Sequence, residues 1–498
     1  MSPVPELRIS ALNKREIERG RDYVLYWCVA GRRPGWNFAL ERALEWSREL
    51  DRPLVVLDAL RVGYRWASDR LHAFALQGIA DNAAAYRERG VQHYAYVEPK
   101  LGAGRGLLAA LAERACVVVT DDYPCFMLPR MLQAGAKQVD VRMEAVDSNG
   151  ILPLRAASEV FPTAYAFRRY LQRNLPQHLA QMPAADPLAD ARRRPPVELD
   201  TRLELRWPRA SAALLAANPD ELARLPIDHS VAPASSRGGH VAGARQLAQF
   251  LDRRLVDYEE KRSEPDADAA SGLSPYLHYG MVSIHQVFAA LCQREEWSPA
   301  RLSSKASGTR GGWWGMSTTA ESFLDEAITW RELGLNFCSK RADYDRYESL
   351  PLWARQTLEE HEADPRANVY SLAQLESATT HDELWNAAQL ELTRTGRMQN
   401  YLRMLWGKKI LEWSPTPRAA LEAMIELNNK YALDGRDPNS YSGIFWCLGR
   451  YDRAWGPERP IYGKVRYMTS QNTARKFAVD GYLARFGKTA TAAQNRLF

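Results

Sequence analysis

The sequence lacks any run approaching about 18 uninterrupted apolar residues, so no membrane-spanning helix is expected. Its first twenty residues, MSPVPELRISALNKREIERG, carry charge throughout and hold no apolar core of the kind a secretory signal needs. Cysteine is scarce. Cys28, Cys116, Cys125, Cys292, Cys338 and Cys447 form no CxxC pair and show no metal-ligand spacing with the nine histidines. Such scattered cysteines read as reduced core residues in a reducing compartment, and no metal site is expected. Charge of one sign is missing too: 66 basic against 60 acidic residues leave +6, which permits a nucleic-acid partner without demanding one.

The 498 residues, at about 150 per domain, suggest two to four units, and the 46% hydrophobic and 25% charged fractions are those of a globular protein. Tryptophan is the compositional oddity, with fifteen residues. Trp27, Trp36, Trp46 and Trp66 lie early, whereas ten fall between Trp297 and Trp455. Indoles stack on flat ligands and unpaired bases, so the skew points to the second half.

DYVLYWCVA (22–30), PLVVLDAL (53–60), VQHYAYV (91–97) and ACVVVT (115–120) are short runs rich in β-branched and aromatic residues. Amphipathic segments such as Asn37–Leu50 and Asp69–Arg89 separate them, a rhythm that predicts a parallel, Rossmann-like sheet covered by helices over residues 1–180. No G-x-G-x-x-G follows the first strand; Gly102, Gly104 and Gly106 have the wrong spacing and read as a loop. Residues 181–240, rich in proline and arginine, read as an interdomain linker with one short helix around Ser211–Ala217. Beyond 241 the strand signals stop, and 241–262, 283–294, 320–340, 381–395, 398–413 and 417–430 carry helical period, so 241–498 is expected to be all-α. FGKT (486–489) lacks both the spacing and the leading strand of a phosphate-binding loop.

The helical half holds five ordered strings: SGLSPYLHYG (271–280), ITWRELGLNFC (328–338), HDELWNAAQ (381–389), YLRMLWGKKILEW (401–413) and LDGRDPNSYSGIFW (433–446). In the first, backbone N–H groups and Ser274 could hold a diphosphate, although a plain capped turn has the same pattern. Trp406 and Trp413 are seven residues apart on one helix, hence on one face, and Trp385 adds a third indole from a neighbouring segment; spacing of this kind also suits core packing. Glu326 and Trp330 stand at i and i+4. A carboxyl desolvated beside an indole has its pKa raised and can donate a hydrogen bond while protonated; a rim glutamate on an amphipathic helix is the alternative. Asp434 could pair with Arg403. Trp446 and Trp455 are interleaved with Arg450, Arg453, Arg459, Lys464 and Arg466, aromatic platforms among cations that suit unstacked bases and phosphates, or else a solvated basic segment over a core.

Taken together, these strings resemble the photolyase/cryptochrome superfamily, specifically the class II cyclobutane pyrimidine dimer photolyases, densely over 258–480 and more loosely over 22–150, through YW (26–27) and WNFAL (36–40). The resemblance implies an N-terminal α/β domain, often with an antenna chromophore, and a helical domain that binds FAD. It implies light-driven carbon–carbon lyase activity on UV-damaged DNA: excited FADH⁻ gives one electron to a flipped-out dimer, the ring splits and the electron returns. Tyr258, Gly272, Leu273 and Ser274 are then FAD phosphate and ribose contacts, Arg403 and Asp434 flank the isoalloxazine, and Asn428 faces flavin N5. Trp406, Trp385 and Trp413 form the electron relay. Glu326, Trp330, Met404, Trp446 and Trp455 line the dimer pocket, with protonated Glu326 stabilising the dimer radical anion.

The chain departs from the family pattern at three places: one residue fewer between Trp446 and Trp455, with Tyr451 where a His-Asp pair usually begins; Asn429 for a usual aspartate; and a divergent 146–175, which leaves the antenna unassigned. A cryptochrome-like photosensor is the alternative function, and a DNA-binding scaffold a third; the complete set of pocket residues and the short tail after Phe477 favour repair. A monomer without an obligate protein partner, in the cytoplasm, is expected.

Overall fold

The computed structural model describes residues 4–189 and 194–488; Thr489, the last residue of the FGKT string, lies outside them. The chain folds as two compact units. The first comprises Met1–Ser158, Asn174–Ala248 and Leu273–Pro299; the second comprises Glu159–Arg173, Gln249–Gly272 and Ala300–Phe498.

The first unit is built on a six-stranded sheet: β1 (Ile9–Ala11), β2 (Tyr23–Cys28), β3 (Leu54–Leu60), β4 (Gln92–Val97), β5 (Ala115–Asp121) and β6 (Met143–Val146), in the spatial order β1-β6-β5-β2-β3-β4. Every pairing is parallel except the edge pair, in which Ile9 opposes Val146 in antiparallel register. Both sheet faces are covered, so the central strands are apolar throughout rather than alternating. Tyr23, Leu25 and Trp27 of β2 join one core with Leu107, Leu111 and Leu132. Val24, Tyr26 and Cys28 join the other with Phe38, Leu40 and Leu44 of helix α1 (Phe38–Glu49). Asn37 starts α1 by accepting the N–H groups of Ala39 and Leu40. At the carboxyl end of β5, Asp121 Oδ2 accepts the N–H groups of Val29, Ala30 and Gly31, and Oδ1 accepts the Tyr26 hydroxyl at 2.7 Å.

The α/β architecture expected from the strand–helix rhythm is therefore present, with two short strands on one side of the sheet, β1 and β6, that the sequence does not reveal. Residues 194–240 are more ordered than their proline content suggests. Three short helices (Thr201–Arg206, Ala212–Leu215 and Pro219–Leu222) stand there in place of one. Prolines break the segment into pieces too short for a visible period, yet each piece sends an apolar residue inward. Leu203 and Trp207 enter the core beside β4, and Leu215, Leu222 and Leu225 pack on Leu76 and Ile79 of α2 (Asp69–Glu88).

The second unit has no strand among its described residues. Its principal helices are α3 (Thr318–Leu324), α4 (Arg331–Lys340), α5 (Glu383–Thr395), α6 (Asn400–Trp413), α7 (Pro417–Tyr431) and α8 (Pro438–Cys447). Where the sequence predicts one helix over 320–340, Asp325–Trp330 between α3 and α4 is a π-helical turn. Such insertions cluster at functional sites because they re-aim neighbouring side chains. Helices α4 and α8 approach closely at Gly334, where an added Cβ would lie 2.7 Å from the Pro438 carbonyl oxygen. All six cysteines are free thiols. No helix among the described residues is long and apolar enough to cross a membrane.

Candidate functional site

Asp382 caps α5 by accepting the N–H of Trp385, and Gln399 caps α6 by accepting that of Leu402. The two helices then pack side by side and bring three indoles into the dry interior of the second unit: Trp385 is 0% exposed, Trp406 2% and Trp413 1%. Each anchor is specific. Trp385 Nε1 donates to the Trp406 carbonyl at 3.0 Å, and Trp406 Nε1 donates to Gln389 Oε1 at 2.8 Å. Trp385 and Trp413 meet edge to face with centroids 5.4 Å apart. Trp413 also meets Tyr370 at 5.4 Å and His381 at 5.3 Å, and the Tyr370 hydroxyl lies 2.7 Å from His381 Nδ1. His381 is exposed, so the aromatic contacts run from a buried indole to the surface. Neither Tyr370 nor His381 is visible as a site residue in sequence, where both stand in polar surroundings.

Arg403, in the first turn of α6, bonds Asp434 through Nη2, at 3.1 Å to Oδ1 and 3.3 Å to Oδ2. The pair is only partly buried, and among the described residues Nη2 is the one guanidinium nitrogen engaged. Asn428, buried near the end of α7, donates its amide to Ser440 Oγ at 2.6 Å and to Asn429 Oδ1 at 3.3 Å, which pins the carboxamide from the α8 side. Asn429 is spent on structure. Its Oδ1 accepts the Arg436 N–H at 2.8 Å and its amide reaches the Tyr441 hydroxyl at 3.1 Å. A cation, a carboxylate and a fixed carboxamide are the groups a flavin ring needs for its polar edge, so the residues present fit FAD.

The π turn gives two adjacent carboxylates different partners. Asp325 is buried and takes a bidentate pair from Arg168, at 2.7 and 3.0 Å. Glu326 takes Arg262 Nη1 on Oε1 at 2.5 Å. Burial pushes the Glu326 carboxyl above the usual carboxylate range; Arg262 opposes this and the neighbouring Asp325 reinforces it. Arg262 also lies 5.8 Å from the ring of buried Tyr258, whose hydroxyl burial likewise pushes up. Tyr258 and Glu326 are thus joined through one arginine that the sequence disguises, because EEKR reads as the charged end of a surface helix. Gly272 turns with a φ of 68°, and Leu273 and Ser274 begin the stretch that folds with the first unit, Ser274 as the first residue of a short helix.

Trp330, Met404, Trp446 and Trp455 are half-buried, unlike Trp385, Trp406 and Trp413. Trp330 ends the π turn and Trp446 lies in the last turn of α8. The Arg466 guanidinium stands 5.8 Å from the Trp446 ring and 5.2 Å from the Trp455 ring. Trp455 is held by its Nε1 on Asp452 Oδ1 at 3.0 Å, and Arg453 lies 4.6 Å from its ring. The interleaved cations divide. Arg450 is buried, bonded to the Ser349 carbonyl and stacked on Phe337, Lys464 pairs with Glu458 at 3.0 Å, and Arg459 lies 4.9 Å from the Tyr467 ring, whereas Arg453 and Arg466 stand on the Trp446 and Trp455 platforms. Tyr451, at the position that departs from the family pattern, is buried with a φ of 65°.

No protein-family model matches the chain. Over 482 residues it is 34% identical to the deoxyribodipyrimidine photo-lyase of Methanothermobacter thermautotrophicus, an alignment covering 96% of this chain and 97% of that protein. The chain belongs to the deoxyribodipyrimidine photolyase family. The photolyase of rice is 33% identical over 488 residues, 95% of this chain and 89% of its own. Cryptochrome-2 of Arabidopsis thaliana matches more weakly, at 26% over 43% of the chain. A class III photolyase from Agrobacterium tumefaciens shares the fold, with a TM-score of 0.67 over 94% of this chain and 86% of that one at 18% identity. Membership of the photolyase family makes the chain a light-dependent lyase and a flavoprotein.

Proposed function

We propose that this photolyase repairs cyclobutane pyrimidine dimers in DNA as a class II enzyme, using reduced FAD in its helical unit and a dimer flipped out of the duplex. The division of the tryptophans carries the reading: Trp385, Trp406 and Trp413 are dry and mutually anchored, whereas Trp446 and Trp455 are half-buried and share Arg466. Dry indoles, two of them edge to face and the third joined through its backbone, suit electron passage. Half-buried indoles beside cations suit a stacked base and its phosphate.

When bound, reduced FAD supplies the electron that light sends to the dimer. Arg403 and Asp434 set one charge of each sign at its ring, and Asn428, held by Ser440, presents a fixed amide to it. The phosphate and ribose contacts assigned to Tyr258, Gly272, Leu273 and Ser274 rest on the sequence resemblance. Trp330, Trp446, Trp455 and Met404 shape the apolar wall of the lesion pocket and keep water from it. Burial favours the protonated form of Glu326 against the pull of Arg262, and in that form it donates a hydrogen bond to a carbonyl of the lesion. Extrusion costs least for a damaged, poorly stacked pair, which favours the dimer over intact DNA. An antenna chromophore would be flat, and Tyr64, Trp66 and Phe126 form a half-buried aromatic cluster beyond the carboxyl ends of β3 and β5 that suits one.

A cryptochrome-like photosensor would keep the flavin and the relay but not need the lesion pocket. Near-UV or blue illumination of the reduced protein with an oligonucleotide carrying one thymine dimer separates the two. Light-dependent loss of the dimer supports repair; flavin photochemistry with the dimer left intact refutes it.

A further inference from the structure

Lys408 lies in the middle of α6, one of two adjacent lysines in the string GKK, yet its side chain is fully buried. A buried ammonium needs partners for three N–H groups. Among the described residues Nζ has one hydrogen bond, 2.7 Å to the carbonyl of Cys447, the last residue of α8. Such a terminal carbonyl has no partner within its helix and sits at the negative end of the helix dipole. Nζ also stands over the ring of Trp446, whose centroid is 5.0 Å away. Desolvated cation–π contacts of this kind are stronger than exposed ones. The same indole carries Arg466 at 5.8 Å. Trp446 is thus attached to the protein interior by Lys408 and addressed by a second cation from the segment that bears Trp455.

Resting on the repair function proposed above, we infer that Lys408 is a positioning residue for the lesion pocket: its buried ammonium fixes the Trp446 indole against the end of α8, so that the platform is preformed before a flipped dimer stacks on it. A preformed platform avoids the ordering cost of a mobile indole at the moment of binding. The charged and titratable groups facing Nζ are the Cys447 thiol on α8 and Asp452 and Arg466 in the segment after it, and the Lys408 backbone carbonyl accepts the Tyr462 hydroxyl at 2.9 Å. Burial lowers the ammonium's pKa to about 8, so the contact is charged at pH 7 and largely lost by about pH 9.5.

The test uses the full flavin-loaded protein and compares wild type, Lys408→Met and Lys408→Arg at pH 7 and pH 9.5. Two quantities are measured: the ratio of affinities for dimer-bearing and undamaged oligonucleotide, and the indole fluorescence assigned to Trp446 by difference from Trp446→Phe. At pH 7, Lys408→Met is expected to lower the ratio about thirtyfold, the size of a desolvated cation–π contact, with Lys408→Arg recovering part of the loss. Raising wild type to pH 9.5 should lower its ratio and shift the Trp446 signal, while Lys408→Met stays flat in both. If Lys408 only caps α8, Lys408→Met will unfold more easily but keep the wild-type ratio and Trp446 signal at both pH values, and the inference is overturned. If wild type itself does not prefer the dimer, the repair function fails; if wild type prefers it and Lys408→Met does so equally, only the role of Lys408 fails.

Discussion

Trp385 and Trp413 meet edge to face in the helical unit, their ring centroids 5.4 Å apart and their planes at 73°, while Trp385 Nε1 donates to the backbone of Trp406. Replacing Trp406 by phenylalanine should block photoreduction of oxidised flavin yet leave chemically reduced enzyme active in repair. Trp385→Phe should have the same phenotype, because it breaks the link between the other two indoles. The check is the rate of flavin bleaching under blue light with an external reductant. An inactive, chemically reduced mutant would remove the relay role.

Glu326 is held between burial, which raises its pKa, and Arg262, which opposes the rise. The protonated form dominates below the raised pKa, so repair per bound complex should fall as pH rises through it. Glu326→Gln, which keeps a neutral donor, should retain most of the yield and lose that pH dependence. Glu326→Ala should lower the yield more than it lowers DNA affinity. Arg262→Gln should move the falling limb to higher pH, because the effect opposing burial is gone. Single-turnover repair measured across pH separates these outcomes from changes in binding.

Asp434 takes hydrogen bonds from the Arg403 guanidinium on both carboxylate oxygens. Asp434→Asn keeps the shape and removes the charge, and should weaken flavin retention about tenfold, in line with about 1.5–3 kcal/mol for a hydrogen bond to a charged group. The ratio of flavin to protein absorbance after extensive dialysis reads this directly.

Gly334 faces the backbone of Pro438 and Asn439, neither of which can swing aside. Gly334→Ala should therefore force α4 and α8 apart and cost about 1–3 kcal/mol, seen as a lower urea midpoint for the helical unit. Because Asn428 is fastened to Ser440 on α8, the same substitution should also loosen the flavin.

Lys408 has a folded pKa near 8 against an ordinary value of 10.5. The unfolded chain therefore binds more protons between those values, and stability should rise with pH across that window, by at most about 3 kcal/mol. Lys408→Met should remove this contribution to the slope, which is best measured as the difference between the two proteins' urea midpoints from pH 7.5 to 9.5.

Much of the architecture can be read from residue order. Strands β2 to β5 are apolar on both faces and bounded by helices of clear period, so their runs are unmistakable. Strands β1 and β6 are not, because three or four residues carry too little pattern. Trp207 is hidden in a proline-rich stretch whose helices are one turn long. Sequence order singles out Arg403, Asp434 and the tryptophans as candidates, because their types are unusual in such places. It does not reveal Arg262 or Lys408. Both sit in charged strings that look solvated, and only tertiary packing turns one toward Glu326 and buries the other beneath Trp446. The π turn is equally silent, since an inserted residue leaves the hydrophobic period of 320–340 nearly unchanged.

The central claim is light-driven repair in a lesion pocket walled by Trp446 and Trp455. It is tested most directly by illuminating the reduced protein with a duplex carrying a single cyclobutane thymine dimer and following restoration of the thymine absorbance. The account predicts repair that requires light and is lost in the Trp446→Phe, Trp455→Phe double variant while bound flavin is retained. Undiminished repair in that variant, or no repair by the illuminated wild-type protein, would contradict it.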